Sequence, residues 1–272
     1  MGNESVFRFR SSSTPGANRP RECRDLCAIL DRVFEAVQRR ICAGITTAEL
    51  DRVAANAIVA TGCEALFKNN LRNDYPTTIT ASINDQVVNN IPSSRERKSG
   101  DLLSLQIGVA RTGTFAYQAW TFLVDRGSDE DMRLWQAGFD ALTGAIGRVR
   151  AGARVRDVSS TIQSTLESAG FTPGRDYVGH GIGDELHVEP AIPCFVGRAR
   201  SQDPSLEQTF VENQLLSINV FAHAGSHRTK LEPDQWGVVT RDGSHAVHFS
   251  HVVVVGTDGC STLTSNRNRF AR

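Results

Sequence analysis

The chain has 272 residues, with 30 basic and 30 acidic side chains and a formal net charge of zero. Apolar residues make up 40% and charged residues 22%, which excludes a chain disordered over most of its length. The charge balance argues against a nucleic-acid partner, whose phosphates call for a basic surface, and no apolar run is long enough to span a bilayer.

The first 22 residues or so carry Ser11-Ser12-Ser13, Thr14-Pro15-Gly16 and the arginines Arg8, Arg10, Arg19 and Arg21. They show no apolar period, so a flexible tail over residues 1–23 is expected ahead of one domain at 24–272. Met1–Val6 lacks the apolar core of a signal peptide. The six cysteines, Cys23, Cys27, Cys42, Cys63, Cys194 and Cys260, form no Cys-x-x-Cys pair. They read as reduced thiols of a cytoplasmic protein.

From Arg24 the apolar residues Leu26, Ile29, Leu30, Val33, Phe34, Val37 and Ile41 recur at three and four, the period of a helix. Thr46-Thr47-Ala48-Glu49 offers a capping box for a second helix through Leu50, Val53, Ala54 and Ile58, with Gly62 as its stop. Strands are expected over 77–83, 102–110 and 115–124, the last two joined as a hairpin by Arg111-Thr112-Gly113-Thr114. A third helix starts near Ser128 with Asp129, Glu130 and Asp131 in its first turn, where the helix dipole favours acids. A fourth carries Val155, Val158, Ile162, Leu166 and Ala169 and ends at Gly170. Further strands are expected over 215–222, 236–240 and 247–255. Two helices, strands, two helices and strands make one α+β domain of two similar halves.

The segment Tyr177–Pro190 is rich in glycine and histidine, and reads as a tight loop carrying His180 and His187. In the first hairpin strand Leu103, Leu105, Ile107 and Val109 share a core face. Leu102, Ser104, Gln106, Gly108 and Ala110 share the other, small and polar as a cavity wall would be. Tyr117, Ser217, Asn219, His248 and Ser250 occupy comparable positions on the other strands.

Several runs, in order and with compatible spacing, resemble the bacterial methionine aminopeptidases. They are Ile83-Asn84-Asp85-Gln86-Val87-Val88-Asn89-Asn90-Ile91-Pro92, Gly100-Asp101, Gly179-His180-Gly181-Ile182-Gly183, Leu186-His187-Val188-Glu189-Pro190, Trp236–Gly243 and Phe249–Val254. The resemblance covers about residues 24–264. It implies the pita-bread (creatinase/aminopeptidase) fold: a pseudo-two-fold curved antiparallel sheet with helices on its outer face and a central pocket.

That family is a dinuclear metallohydrolase with two Asp, one His and two Glu as ligands. Carried over by position, the two Asp fall on Gln106 and Tyr117, the His on His180, and the two Glu on Asn219 and Ser250. One substrate-contacting histidine of the family is retained as His187, and the other is Asn89. Two divalent ions need anionic ligands to offset their charge and lost hydration, and four such groups are replaced by side chains neutral at pH 7. The expectation is therefore no metal, no other cofactor, and no metal-activated water. A salvage site of His180, His187 and His248 is the weaker alternative.

Two functions follow. One is a metal-independent enzyme acting on a small polar or amino-acid-like substrate by cyclisation, elimination, isomerisation or C–N cleavage. His180, His187, Tyr117 and His248 are its acid–base candidates, and Gln106, Asn219, Ser250, Asn89 and Trp236 its substrate contacts. Creatinase resembles this case, because it cleaves a C–N bond without metal using the histidine of the corresponding loop. The other is an inactive aminopeptidase homologue that binds or regulates. The partner is a small molecule in the first case, with no membrane in either, and the sequence leaves oligomeric state open.

Overall fold

The computed structural model describes residues 19–68, 75–197 and 204–266; Arg8, Arg10 and the rest of residues 1–18 lie outside them. The first half runs α1 (Arg19–Gln38), α2 (Thr47–Val59), β1 (Glu64–Ala65), β2 (Thr80–Ile83), β3 (Gln86–Val88), β4 (Leu102–Arg111) and β5 (Thr114–Leu123). The second runs α3 (Asp129–Ile146), α4 (Val155–Ser168), β6 (Thr172–Pro173), β7 (Val178–Ile182), β8 (Val188–Pro193), β9 (Leu215–His223), β10 (Thr229–Leu231), β11 (Val238–Thr240), β12 (Ala246–Val255) and β13 (Cys260–Thr262). Among the described residues no helix is long and apolar enough to cross a membrane.

Helix α1 starts at Arg19 and takes in the last five residues of the expected tail. Pro20 is tolerated there because the first-turn N–H groups have no intrahelical partner. Leu26, Ile29, Leu30, Val33, Phe34 and Val37 are all buried. The capping box of α2 is complete: Glu49 N–H donates to Thr46 Oγ1 at 3.2 Å, and Thr46 N–H to Glu49 Oε2 at 2.9 Å. Ser128 caps α3 by accepting from Asp131 N–H at 3.0 Å.

In the first half β4 pairs along its length with β5, and on its other edge with β1 and β2. The two-residue turn Thr112-Gly113, with φ of 48° and 75°, closes that hairpin as twisted strands require. In the second half β9 pairs with β12, and on its other edge with β6 and β7, while β8 extends β7 and β13 extends β12. Each half is thus built on a long antiparallel pair with shorter strands beside it, on one edge in the first half and on both in the second, and β3, β11 and β10 form a small third sheet. Side chains join the halves across the β5–β12 seam. Ala119 N–H donates to Ser250 Oγ at 2.7 Å, and His248 N–H to Thr121 Oγ1 at 2.9 Å.

Behind the seam Trp120, Trp135, Phe139 and Phe249 interlock, with Trp120 and Phe249 ring centroids 5.1 Å apart. Trp135 Nε1–H donates to Thr121 O at 2.6 Å, which fixes α3 against the strands. The pseudo-two-fold α+β pita-bread architecture is the one the resemblance implies.

The glycine-rich segment departs from its expectation. His180 stands in a strand, β7, paired on both sides, and not in a loop. Glycine serves close packing here: a Cβ on Gly181 would lie 2.3 Å from Glu189 O.

Candidate functional site

The pocket opens where the inner faces of β4, β5, β7 and β9 meet, and encloses about 550 Å³ counting its mouth. Gln106 comes from β4, Tyr117 from β5, His180 from β7 and Asn219 from β9. His187 comes from the turn between β7 and β8, and Asn89 from just after β3. Strand register aligns the polar faces: Gly108 opposite Tyr117, Gln106 opposite Ala119, and Ser250 opposite Asn219. The polar face of β4 read from the sequence does line the cavity at Gln106. Its neighbour Ser104 instead bonds Thr121 at 2.7 Å.

Tyr117 is the centre of a hydrogen-bond network. His180 Nδ1 lies 2.9 Å from Gly181 O, which only accepts, so Nδ1 carries the proton in the neutral ring. His180 Nε2 then accepts the Tyr117 O–H at 3.0 Å. The Tyr117 oxygen in turn accepts from Ser217 Oγ–H at 2.8 Å and from Asn219 Nδ2–H at 2.6 Å. His248 Nε2–H donates to Asn219 Oδ1 at 2.9 Å and the ring stacks on Phe221, with centroids 3.9 Å apart. The Tyr117 and His180 rings are nearly parallel, and the His187 ring centroid lies 4.3 Å from that of His180.

Burial makes every titratable member neutral. It holds His180 well below the usual imidazole range, helped by the nearby His187. It pushes His187 down to about 4 and His248 to about 3. The Tyr117 phenol is pushed up to about 12 by burial, against the lowering effect of the bonds from Ser217 and Asn219. None of these groups is charged at pH 7.

These residues do not fit a pair of divalent ions. Among the described residues no three His, Cys, Asp or Glu side chains are grouped as a metal site requires. The His180 nitrogen that faces the site is bonded to Tyr117. The three-imidazole alternative fails on geometry as well, since His248 lies behind Asn219 and does not reach the pocket wall.

Six of the candidate residues therefore line the pocket: Asn89, Gln106, Tyr117, His180, His187 and Asn219. Three do not. His248 holds Asn219 from behind. Ser250 is fully buried and bonded to Ala119 N. Trp236 packs edge-on against Tyr75, with centroids 5.3 Å apart. The sequence reading missed the apolar wall formed by Phe67, Val88, Tyr177, Leu186 and Phe221. In a sequence these residues carry the same signal as core. His245 and His251 face other partners, Asp131 for the first and Gln118 and Thr264 for the second.

Comparison with known proteins agrees with the geometry. Residues 21–257 match the family model for metallopeptidase family M24. Methionine aminopeptidase 1 of Bacillus subtilis is 34% identical over 248 residues, covering 90% of this chain and 97% of that protein. The crystal structure of methionine aminopeptidase from Thermotoga maritima superposes with a TM-score of 0.86 at 27% identity, covering 95% of this chain and all of that one. That of Rickettsia prowazekii gives 0.87 at 26%, covering 93% of this chain and all of that one.

Proposed function

Because this chain belongs to metallopeptidase family M24 yet lacks a metal-binding cluster among its described residues, we propose that it is a metal-independent enzyme of proton transfer. Its substrate is a small polar or amino-acid-like molecule bound in the Tyr117–His187 pocket. The observation that carries this reading is that the pocket opens beside two neighbouring imidazoles, His180 and His187, with ring centroids 4.3 Å apart. Polar side chains from four strands converge on that pocket together with an apolar wall, as a ligand site requires.

His187 is the acid–base group. It stands on the pocket wall as a neutral imidazole, able to take a proton from one substrate atom and return it to another. His180 and Tyr117 bond to one another, and the His187 ring packs tilted against His180. Gln106 and Asn89 orient the substrate by hydrogen bonds, and His248 positions Asn219, which in turn holds Tyr117. Isomerisation, cyclisation, elimination and C–N cleavage are the reaction classes this set serves. None of them needs an electron acceptor.

The test is incubation of the purified protein with a metabolite extract, followed by mass spectrometry, beside His187→Ala. A substrate consumed by the wild type and spared by the variant is the expected result. Consumption by both, at equal rate, removes His187 from the mechanism. Elemental analysis without chelator should show well under one equivalent of transition metal, and methionyl peptides should stay intact.

One observation favours a second reading. The bonds among Tyr117, Ser217, Asn219 and His248 satisfy one another, as in a binding or regulatory homologue without turnover. A compound retained by the protein and released unchanged would select it.

A further inference from the structure

The pocket's polar groups divide into those committed to one another and those with bonds to spare. Tyr117, His180 and Asn219 belong to the first kind, each bonded to another member of the network. Gln106 and Asn89 belong to the second. Gln106 Oε1 accepts from Thr80 Oγ1 at 2.9 Å, while its NH₂ group has no protein partner among the described residues. The Asn89 carboxamide makes no side-chain hydrogen bond among the described residues and stands on the same pocket, held there by a backbone φ of 59°.

Charge is missing from this wall. Among the described residues that line the pocket none is Asp, Glu, Lys or Arg. An ammonium or carboxylate moved into such a place loses its hydration and finds no counter-charge, whereas an amide loses far less and can be repaid by single hydrogen bonds. Two carboxamides with open donors and acceptors are the complement of another amide, each offering an N–H for its carbonyl or an oxygen for its N–H. The apolar lining residues Phe67, Val88, Leu186 and Phe221 take an apolar substituent.

We infer that this pocket selects uncharged, amide-bearing ligands with an apolar side group, read by the Gln106 and Asn89 carboxamides, and rejects free amino acids and free peptide termini. The inference deepens the proposed function and rests on its reading of the same pocket. It narrows the amino-acid-like class to molecules whose amino and carboxyl groups are both masked as amides.

Four leucine derivatives test it on the full-length protein by ligand-observed NMR titration near neutral pH: N-acetyl-leucinamide, leucinamide, N-acetyl-leucine and leucine. They share the side chain and differ in charge. N-acetyl-leucinamide should bind at least about tenfold more tightly than each of the other three, the least that burying an unpaired charge is expected to cost. Gln106→Leu should weaken it by about tenfold, the value of a hydrogen bond in a largely apolar site. A charged congener bound as tightly as the diamide overturns the inference, as does failure of all four to bind. An unchanged affinity in both Gln106→Leu and Asn89→Ala, with both variants folded by circular dichroism, also overturns it. Selective binding of the diamide with no turnover of any extract component would instead sink the catalytic reading and leave this one standing.

Discussion

His248 shows how a single buried imidazole ties the site to pH. It is almost fully buried, donates to Asn219 and stays neutral down to about pH 3, because burial penalises its charged form. An imidazole whose folded pKa lies below its unfolded value of 6.5 binds more protons when unfolded, so its contribution is complete at neutral pH and lost as pH falls. His187, at about 4, and His180 act in the same direction. Between pH 7 and 5 His187 and His248 each remove on the order of 2 kcal/mol of stability. The His245–Asp131 pair works the other way. The bond to Asp131 raises His245, so its contribution is present below about 6.5 and fades as pH rises through the raised value. Burial alone would raise Asp131, but the bonds from His245 and Ser128 outweigh it, so its contribution is full above about 3.8 and is lost as pH falls from there through the lowered value. The partly exposed pair offsets only a fraction of the loss from the buried rings. Urea unfolding should therefore show a protein weaker at pH 5 than at pH 7 by several kcal/mol. In His248→Gln, which keeps a donor for Asn219, that difference should shrink by about 2 kcal/mol. An unchanged difference would mean that His248 is already protonated in the folded state.

Helix ends and strand contacts differ in how far a change travels. Thr46→Ala removes the bond from Glu49 N–H and the hydroxyl's bond to Glu49 Oε2 at a partly buried helix start, and should cost about 1 kcal/mol, with no effect on the pocket. Gly181→Ala pushes a Cβ into the backbone oxygen of Glu189, so β7 and β8 must move apart. It should cost about 2–3 kcal/mol and disturb the adjacent His180, since overpacked backbone contacts relax only by displacement. Thermal unfolding of both variants checks the ranking, and an equal loss would show that the two strands part freely. The same two elements mark what the sequence makes legible. Helix α2 was readable because its capping box and apolar period agree. Strand β7 was not, because glycines chosen for close approach erase the β pattern and imitate a loop. Strands β1, β3, β6 and β10, two or three residues each, are too short to carry any period. Of the site, the polar wall could be found through Gln106, Tyr117, His180 and Asn219, because each stands where the family resemblance leads one to expect a charged or ligating group. The apolar wall could not, since Phe67 and Phe221 look like core until the strands are placed.

At the scale of the whole molecule the positions that correspond to the family's ligands are shared between the halves: Gln106 and Tyr117 on the first, His180, Asn219 and Ser250 on the second. A metal pair held by such a set would clamp one half to the other. Here neutral bonds make that connection, with Tyr117 of the first half joined to His180, Ser217 and Asn219 of the second, and Ser250 to the Ala119 backbone. The exchange is consistent at every position, since one carboxylate left among neutral partners would sit buried without compensation. It follows that the chain should be indifferent to metals: its unfolding temperature should not move with added manganese or with chelator. Restoring all four acids in Gln106→Asp, Tyr117→Asp, Asn219→Glu, Ser250→Glu should reverse both properties. Without metal that variant should unfold several degrees below the parent, because like charges crowd a buried site. With manganese it should recover by ligand linkage and take up about two equivalents. A parent protein stabilised by manganese would show that the neutral network opens to admit an ion, and the account of the seam as a metal-free clamp would fall.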